Sequence, residues 1–137
     1  MTVVVELPGL VRGKGRPRVT IRGAHAHAYT DAKTESYEGA LRLAASVAMV
    51  GRDPLRGPLK ASMLAVMPVP ASWSKNKQAE ALAGNLFPTS KPDWDNVAKC
   101  CDALNGIVWG DDAQIAVGSV RKVYGAAPML RIEVSAL

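Results

Sequence analysis

The 22 residues from Lys91 to Asp112, KPDWDNVAKCCDALNGIVWGDD, constrain this chain more than any other stretch. They hold five of its 12 acids, Asp93, Asp95, Asp102, Asp111 and Asp112, against two bases, Lys91 and Lys99. The window's charge of −3 leaves +8 on the rest of a chain whose total is +5, so any fold must carry an acidic island on a basic protein. Asp93 and Asp95 stand two apart, and on extended backbone both carboxylates point one way with Trp94 opposite. From about Asn96 the period changes. Val97, Cys100, Cys101 and Leu104 follow the i, i+3, i+4, i+7 spacing of a buried helical stripe. Asp95 is placed to cap that helix and Asn105-Gly106 to stop it, which leaves Asp95, Lys99 and Asp102 on its polar side. Ile107-Val108-Trp109 predicts a short apolar strand, Gly110-Asp111-Asp112 a turn, and Ala113 to Tyr124 a second strand. If those strands pair, the Asp111-Asp112 reversal can lie over the helix start.

Each piece alone has an ordinary structural role. An Asp before a helix is usually a cap, and Asp-Asp after Gly is usually a solvated turn. Lys99 one turn after Asp95 fits a surface pair contributing about 0.3 to 0.5 kcal/mol. The combination is less ordinary: a carboxylate pair, a lysine one turn on, and a second carboxylate pair after an apolar segment. Hard divalent cations such as Mg²⁺ take one or two carboxylates together with substrate phosphate and water.

The run Lys91-Pro92-Asp93-Trp94-Asp95-Asn96 with Lys99, then Asp102-Ala103-Leu104-Asn105-Gly106 and Trp109-x-Asp111-Asp112-x-Gln114, resembles the signature of the RusA family of Holliday junction resolvases. Gly13-Lys14-Gly15-Arg16-Pro17-Arg18 and Tyr29-Thr30 resemble that family's amino-terminal region, so the likeness spans most of the chain. It implies a Mg²⁺-dependent endonuclease, with Mn²⁺ able to substitute, that acts as a homodimer on four-way junction DNA by paired nicks. Position by position, Asp93, Asp95 and Asp112 match the family's catalytic, metal-holding carboxylates, Lys99 its catalytic lysine, and Asp111 a neighbouring acidic position of less definite role.

Before that stretch, Thr2 to Leu7 predicts a strand closed by Pro8-Gly9. Val11 to Arg18 then interleaves four bases with glycines and a proline. It reads either as a solvated hairpin loop or as a backbone that approaches phosphate while Lys14, Arg16 and Arg18 supply charge; beside an acidic metal site the second account is preferred. No Gly-Lys-Ser/Thr end leads into a helix, so it is not a P-loop. A second strand is predicted near Val19 to Arg22. His25 and His27 are spaced to chelate on one strand face but have no third ligand nearby, and a loop or edge strand explains them better. A helix is predicted from Asp31 or Lys33 to Met49, with Tyr37, Leu41, Ala44, Val47 and Ala48 as its apolar face. Leu59 to Met67 is the best candidate for a central strand. Ser72 and Ser74 introduce a short helix to about Ala83, whose Lys75 and Lys77, with Lys91 further on, are further candidate phosphate contacts. Ile115 to Tyr124 and Met129 to Val134 read as the last strand pair, with Gly118 marking a bulge.

This order predicts one domain over residues 1–137, of α+β or α/β class, with helices packed on a mixed sheet. A hydrophobic content of 48% and a charged content of 21% suit a globular chain, and no secretory signal or membrane span is read, so a protein of the cytoplasm is expected, while the family resemblance implies a bacterial or bacteriophage origin. The adjacent Cys100 and Cys101 offer no disulfide framework or zinc spacing and are read as small buried residues. A pI near 9.5 permits nucleic-acid binding. Two other readings fit the same residues: a non-catalytic binder of DNA structure, and a general Mg²⁺ nuclease of flaps or single strands.

Overall fold

A computed structural model describes residues 2–15, 18–29 and 31–137. The chain forms β1 (Thr2–Pro8), β2 (Arg18–Arg22), β3 (His25–Tyr29), α1 (Ala32–Ala48), β4 (Leu59–Pro68), α2 (Lys75–Leu82), α3 (Trp94–Ala98), β5 (Ile115–Gly125) and β6 (Met129–Ala136). Two 3₁₀ segments, Lys99–Leu104 and Asp112–Gln114, lie between α3 and β5. It is a single domain with a mixed sheet and helices, as expected. His25 and His27 lie on an edge strand, paired with β2 in a separate two-stranded ribbon.

The four-stranded sheet runs β1-β6-β4-β5, with β4 antiparallel to β6 and parallel to β5. Alternation along β4 buries Leu59, Ala61, Met63 and Ala65, and Val3, Val5, Leu130, Ile132 and Val134 fill the same layer from β1 and β6. The central place of β4 agrees with its sequence. The last two strands, however, do not pair with each other. β6 takes the inner edge of β4 because its own alternating Leu130, Ile132 and Val134 extend the buried layer, and β5 is left at the outer edge. The chain must cross β4 between them. Gly125 allows the crossing, since a Cβ there would lie 2.5 Å from Val66 Cγ1. The register irregularity falls opposite Leu59 and Lys60, where Ala116 is passed over, and not at Gly118.

Asp31 caps α1 by accepting from Thr34 N at 2.8 Å, and Ser74 caps α2 by accepting from Lys77 N at 3.2 Å. α1 turns Thr34, Glu38, Leu41 and Ala45 inward, which leaves Val47 66% exposed instead of buried as expected. Cys100 and Cys101 are buried free thiols, and burial pushes them up to about 11 and about 12. Ile107-Val108-Trp109 is not a strand. Ile107 N and Val108 N both donate to Leu104 O at 3.1 Å and Gly106 N to Trp109 O at 2.7 Å, so the backbone is satisfied locally while Val108 and Trp109 enter the core. The conditional pairing of that segment with β5 is therefore not made.

Candidate active site

The acidic stretch folds as two short arms around one hollow. Asp93, not Asp95, holds the N-cap position of α3, with extended φ −67° and ψ 150°, and Val97 N closes the first turn on Asp93 O at 3.1 Å. Trp94 and Asp95 are already helical, so the two carboxylates do not share an extended face. α3 lasts only to Ala98 before the backbone tightens to 3₁₀ through Leu104, where each residue advances about 120° instead of 100°.

The second arm is built by Gln114. Its side-chain oxygen accepts from Gly110 N at 3.0 Å and Asp111 N at 3.2 Å, and its amide donates to Leu55 O and Gly57 O at 3.1 Å. Asp111 caps the 3₁₀ turn by accepting from Ala113 N at 3.0 Å. Trp109 Nε1 donates to Asn105 Oδ1 at 2.7 Å, tying the end of the first arm to the start of the second. The motif residues Asn105, Trp109 and Gln114 thus fix where Asp112 stands.

Asp112 lines a cavity of about 230 Å³ together with Trp94 and Ala98 of α3, Met63 of β4, Cys101, and Ile115, Gly118 and Val120 of β5. Trp94 is 59% exposed, and its Nε1 donates to Val120 O at 3.3 Å. Asp112 is hydrogen-bonded to Asp102 and Asp111, and these contacts, with partial burial, push its carboxyl up to about 6. Asp102 goes the other way. Burial opposes its ionisation, but hydrogen bonds from Asp112 and Lys14 hold it below the ordinary carboxylate range. Asp111 is lowered by the bond from Ala113 N and the contact with Asp112. Three carboxyl groups therefore meet at the second arm, one of them keeping a proton to higher pH than usual.

On the first arm Lys99 Nζ lies 3.5 Å from Asp95, and Lys91 Nζ lies 2.8 Å from Asp93. Lys14 Nζ bonds Asp102 at 3.0 Å and Glu38 at 3.4 Å, which raises its own pKa. Glu38, almost wholly buried on α1, also pairs with Arg42 at 3.4 Å. Lys14 is carried there by Gly13: a Cβ on Gly13 would sit 2.7 Å from Asn96 Cβ, and Lys14 N donates to Asn96 O at 2.9 Å. That glycine brings the basic loop against α3, a close approach within the chain where a phosphate contact was expected.

Sequence reasoning placed Asp93, Asp95, Lys99, Asp111 and Asp112 in the site but gave no role there to Asp102 or Glu38. Asp102 stands three residues after Lys99, and that spacing was its available signal. Among the described residues no three or more His, Cys, Asp or Glu side chains are gathered as a ready metal-holding group; Asp93 and Asp95 face lysines, and Asp112 faces Asp102 and Asp111. The donors are all hard oxygens, and crowded carboxylates that share a proton are the arrangement a divalent cation relieves, so the residue set fits such an ion. Lys75 and Lys77 are exposed at the start of α2, with Lys77 Nζ 4.0 Å over the Trp73 ring. Arg16 lies outside the described residues, and for Arg18 the description covers only its place in β2. Among the described residues no helix is long and apolar enough to cross a membrane.

The uncharacterized protein YqaN of Bacillus subtilis (strain 168) is 36% identical to this chain over 129 residues, covering 90% of each. The family model described as Endodeoxyribonuclease RusA matches residues 8–135, both arms and the basic loop included. On that match the chain belongs to the RusA endodeoxyribonuclease family.

Proposed function

We propose that this protein, as a single RusA-like domain over residues 1–137, is a divalent-metal-dependent endodeoxyribonuclease of the cytoplasm. It resolves four-way DNA junctions as a homodimer, by paired symmetric nicks, in recombination and repair. The observation that carries this reading is the hollow between α3 and the Asp112–Gln114 turn, lined by Trp94, Ala98 and Asp112, with Asp95 and Lys99 paired on the α3 arm and with Asp102 of that arm and Asp111 of the other both hydrogen-bonded to Asp112. Asp93, Asp95 and Asp112 would hold the ion, with Asp111 an added oxygen donor. When bound, Mg²⁺ or Mn²⁺ supplies positive charge to the scissile phosphate and acidifies a water.

The chain's own residues do the rest. Lys99, half-exposed beside Asp95, is placed to stabilise charge at the phosphate or the leaving oxygen. Lys14 holds Asp102 ionised and so fixes the partner against which Asp112 is set. Lys75 and Lys77, with Arg16, Arg18 and Lys91, contribute salt-sensitive attraction to the DNA backbone. A two-fold dimer matches the two-fold character of a junction and presents one site to each of two strands.

The test is incubation of an immobile four-way junction, each strand labelled in turn, with and without Mg²⁺. Symmetric nicks on two opposed strands that require Mg²⁺, with the isolated duplex arms left intact, are the expected result. Equal cutting of the arms or of single strands would identify a general nuclease. Junction binding without any cleavage, unchanged in Asp95→Asn, would identify a non-catalytic binder.

A further inference from the structure

Beside Asp112 the core layer is left incomplete at the edge of the sheet. β5 runs parallel to β4 with Gly118 opposite Ala61 and Val120 opposite Met63, and Ala61 and Met63 are buried on the core face. Residues opposite one another in a ladder turn to the same face, so position 118 belongs to that buried row. Yet Gly118 is exposed and supplies no side chain to it. A Cβ there would come no nearer than 3.5 Å to Ile115 Cγ2, an ordinary contact, and its φ is not among the positive values that call for glycine. Glycine weakens the interior of a strand, and where the chain itself does not require it, it marks a place that another molecule approaches closely.

The room that Gly118 leaves is part of the cavity of about 230 Å³ lined by Asp112. Ala61, Met63 and Cys101 give it a buried apolar floor, and Ala98 and Ile115 wall it from α3 and β5. Among the described residues Asp112 is its one charged lining residue and Trp94 its one aromatic. The Trp94 ring is 59% exposed, and its position is fixed by the bond from Nε1 to Val120 O at 3.3 Å. We propose that this cavity receives a single nucleobase of the junction, the one joined to the phosphate held beside Asp112, swung out of its stack and laid against Trp94.

Size and chemistry select that occupant. An apolar cavity of about 150 Å³ holds a benzene ring, so 230 Å³ takes one base and excludes a base pair. The floor admits a flat, uncharged group. The rim demands that this group be tied to an anion, because Asp112 is a proposed donor to the cation on which the scissile phosphate sits. A base on its own backbone meets both conditions, whereas an apolar side chain from another protein would leave Asp112 facing hydrocarbon. Every base has a π-face, so stacking on Trp94 works for any of the four. The arrangement also gives a reason for cutting junctions and sparing their arms. A base inside a duplex arm is paired and stacked on both sides, while stacking is interrupted at the crossover, and there a base leaves at least cost. This use of the cavity rests on the junction nuclease proposed above and adds its means of choosing where to cut.

Binding of the full chain to an immobile four-way junction and to a duplex of one arm's sequence is measured by fluorescence anisotropy in Ca²⁺, with Trp94→Ala and Gly118→Leu as variants. Leucine at position 118 fills the cavity without a clash at its Cβ and should keep or raise the melting temperature. Each variant is expected to weaken junction binding about tenfold, the worth of one base stacked on an aromatic ring, and to leave duplex binding within about twofold. Junctions carrying one 5-iodouracil beside the crossover should photo-cross-link to Trp94 of the wild type and not to Trp94 of Gly118→Leu. Equal weakening of junction and duplex, unchanged junction affinity in both variants, or a cross-link undiminished by Gly118→Leu overturns the base pocket. Cleavage enters none of these readouts. Junction preference without any nicking removes the nuclease reading alone, and nicking with unchanged Trp94→Ala affinity removes the pocket alone.

Discussion

Asp112 is the one carboxyl of the site that ionises late, near pH 6, because Asp102 and Asp111 already occupy its neighbourhood with negative charge. Its pKa is raised on folding, so the stability it contributes is fully present below the unfolded value of about 3.9 and is lost as pH rises through about 6. In metal-free protein, Asp112→Asn should therefore melt a few degrees above wild type at pH 8 and lose that advantage at pH 4, while junction cleavage is abolished. Calorimetric scans at the two pH values check this, and a variant less stable than wild type at pH 8 would contradict the crowding. Asp102→Asn removes a neighbour and not a proposed metal donor, so it should slow cleavage about 10- to 100-fold and shift the dependence on metal concentration; a rate curve against Mg²⁺ reads both. The Asp95 and Lys99 pairing was legible as an i, i+4 spacing. The partnership of Asp102 with Asp112 was not, because it joins two segments that only the fold of the intervening loop of residues 105–111 brings together, and no local spacing encodes it.

At the scale of elements, the site depends on loops braced by side-chain hydrogen bonds. Gln114 makes four such bonds, two within the second arm and two to the segment of residues 55–57, and Gln114→Ala should cost roughly 1 to 3 kcal/mol and lower cleavage with little effect on junction binding. Urea unfolding paired with a gel-shift titration tests this; unchanged stability would show that the arm stands without the brace. Gly13→Val forces a clash with Asn96 and Pro92 and should destabilise by about 1 to 3 kcal/mol, displacing Lys14 from Asp102. Alternation identified β4, and the capping residues Asp31 and Ser74 marked the starts of α1 and α2, since those signals are local. The order β1-β6-β4-β5 and the loss of a strand at Ile107–Trp109 depend on which neighbour buries which apolar row. That competition between distant segments leaves no period in the sequence.

Over the whole molecule, the net charge of +5 is unevenly placed, with part of the basic surface spent inside the site, where Lys14, Lys91 and Lys99 face carboxylates. The exposed Lys75 and Lys77 are therefore the better measure of backbone contact. Lys75→Ala with Lys77→Ala should weaken junction binding uniformly and reduce the salt slope by about two, and an unchanged slope would remove α2 from the footprint. The family and the single mixed-sheet domain were readable from the chain because the acidic motif and the apolar strands are both continuous in sequence. The meeting of the motif's two arms across a cavity is a property of the fold. The account rests on both arms grasping one cation, and Mn²⁺ titration followed by electron paramagnetic resonance tests this most directly. Wild type should bind Mn²⁺, and Asp95→Asn on one arm and Asp112→Asn on the other should each lose most of that affinity while remaining folded. Binding that survives in either variant at wild-type strength would contradict a shared ion.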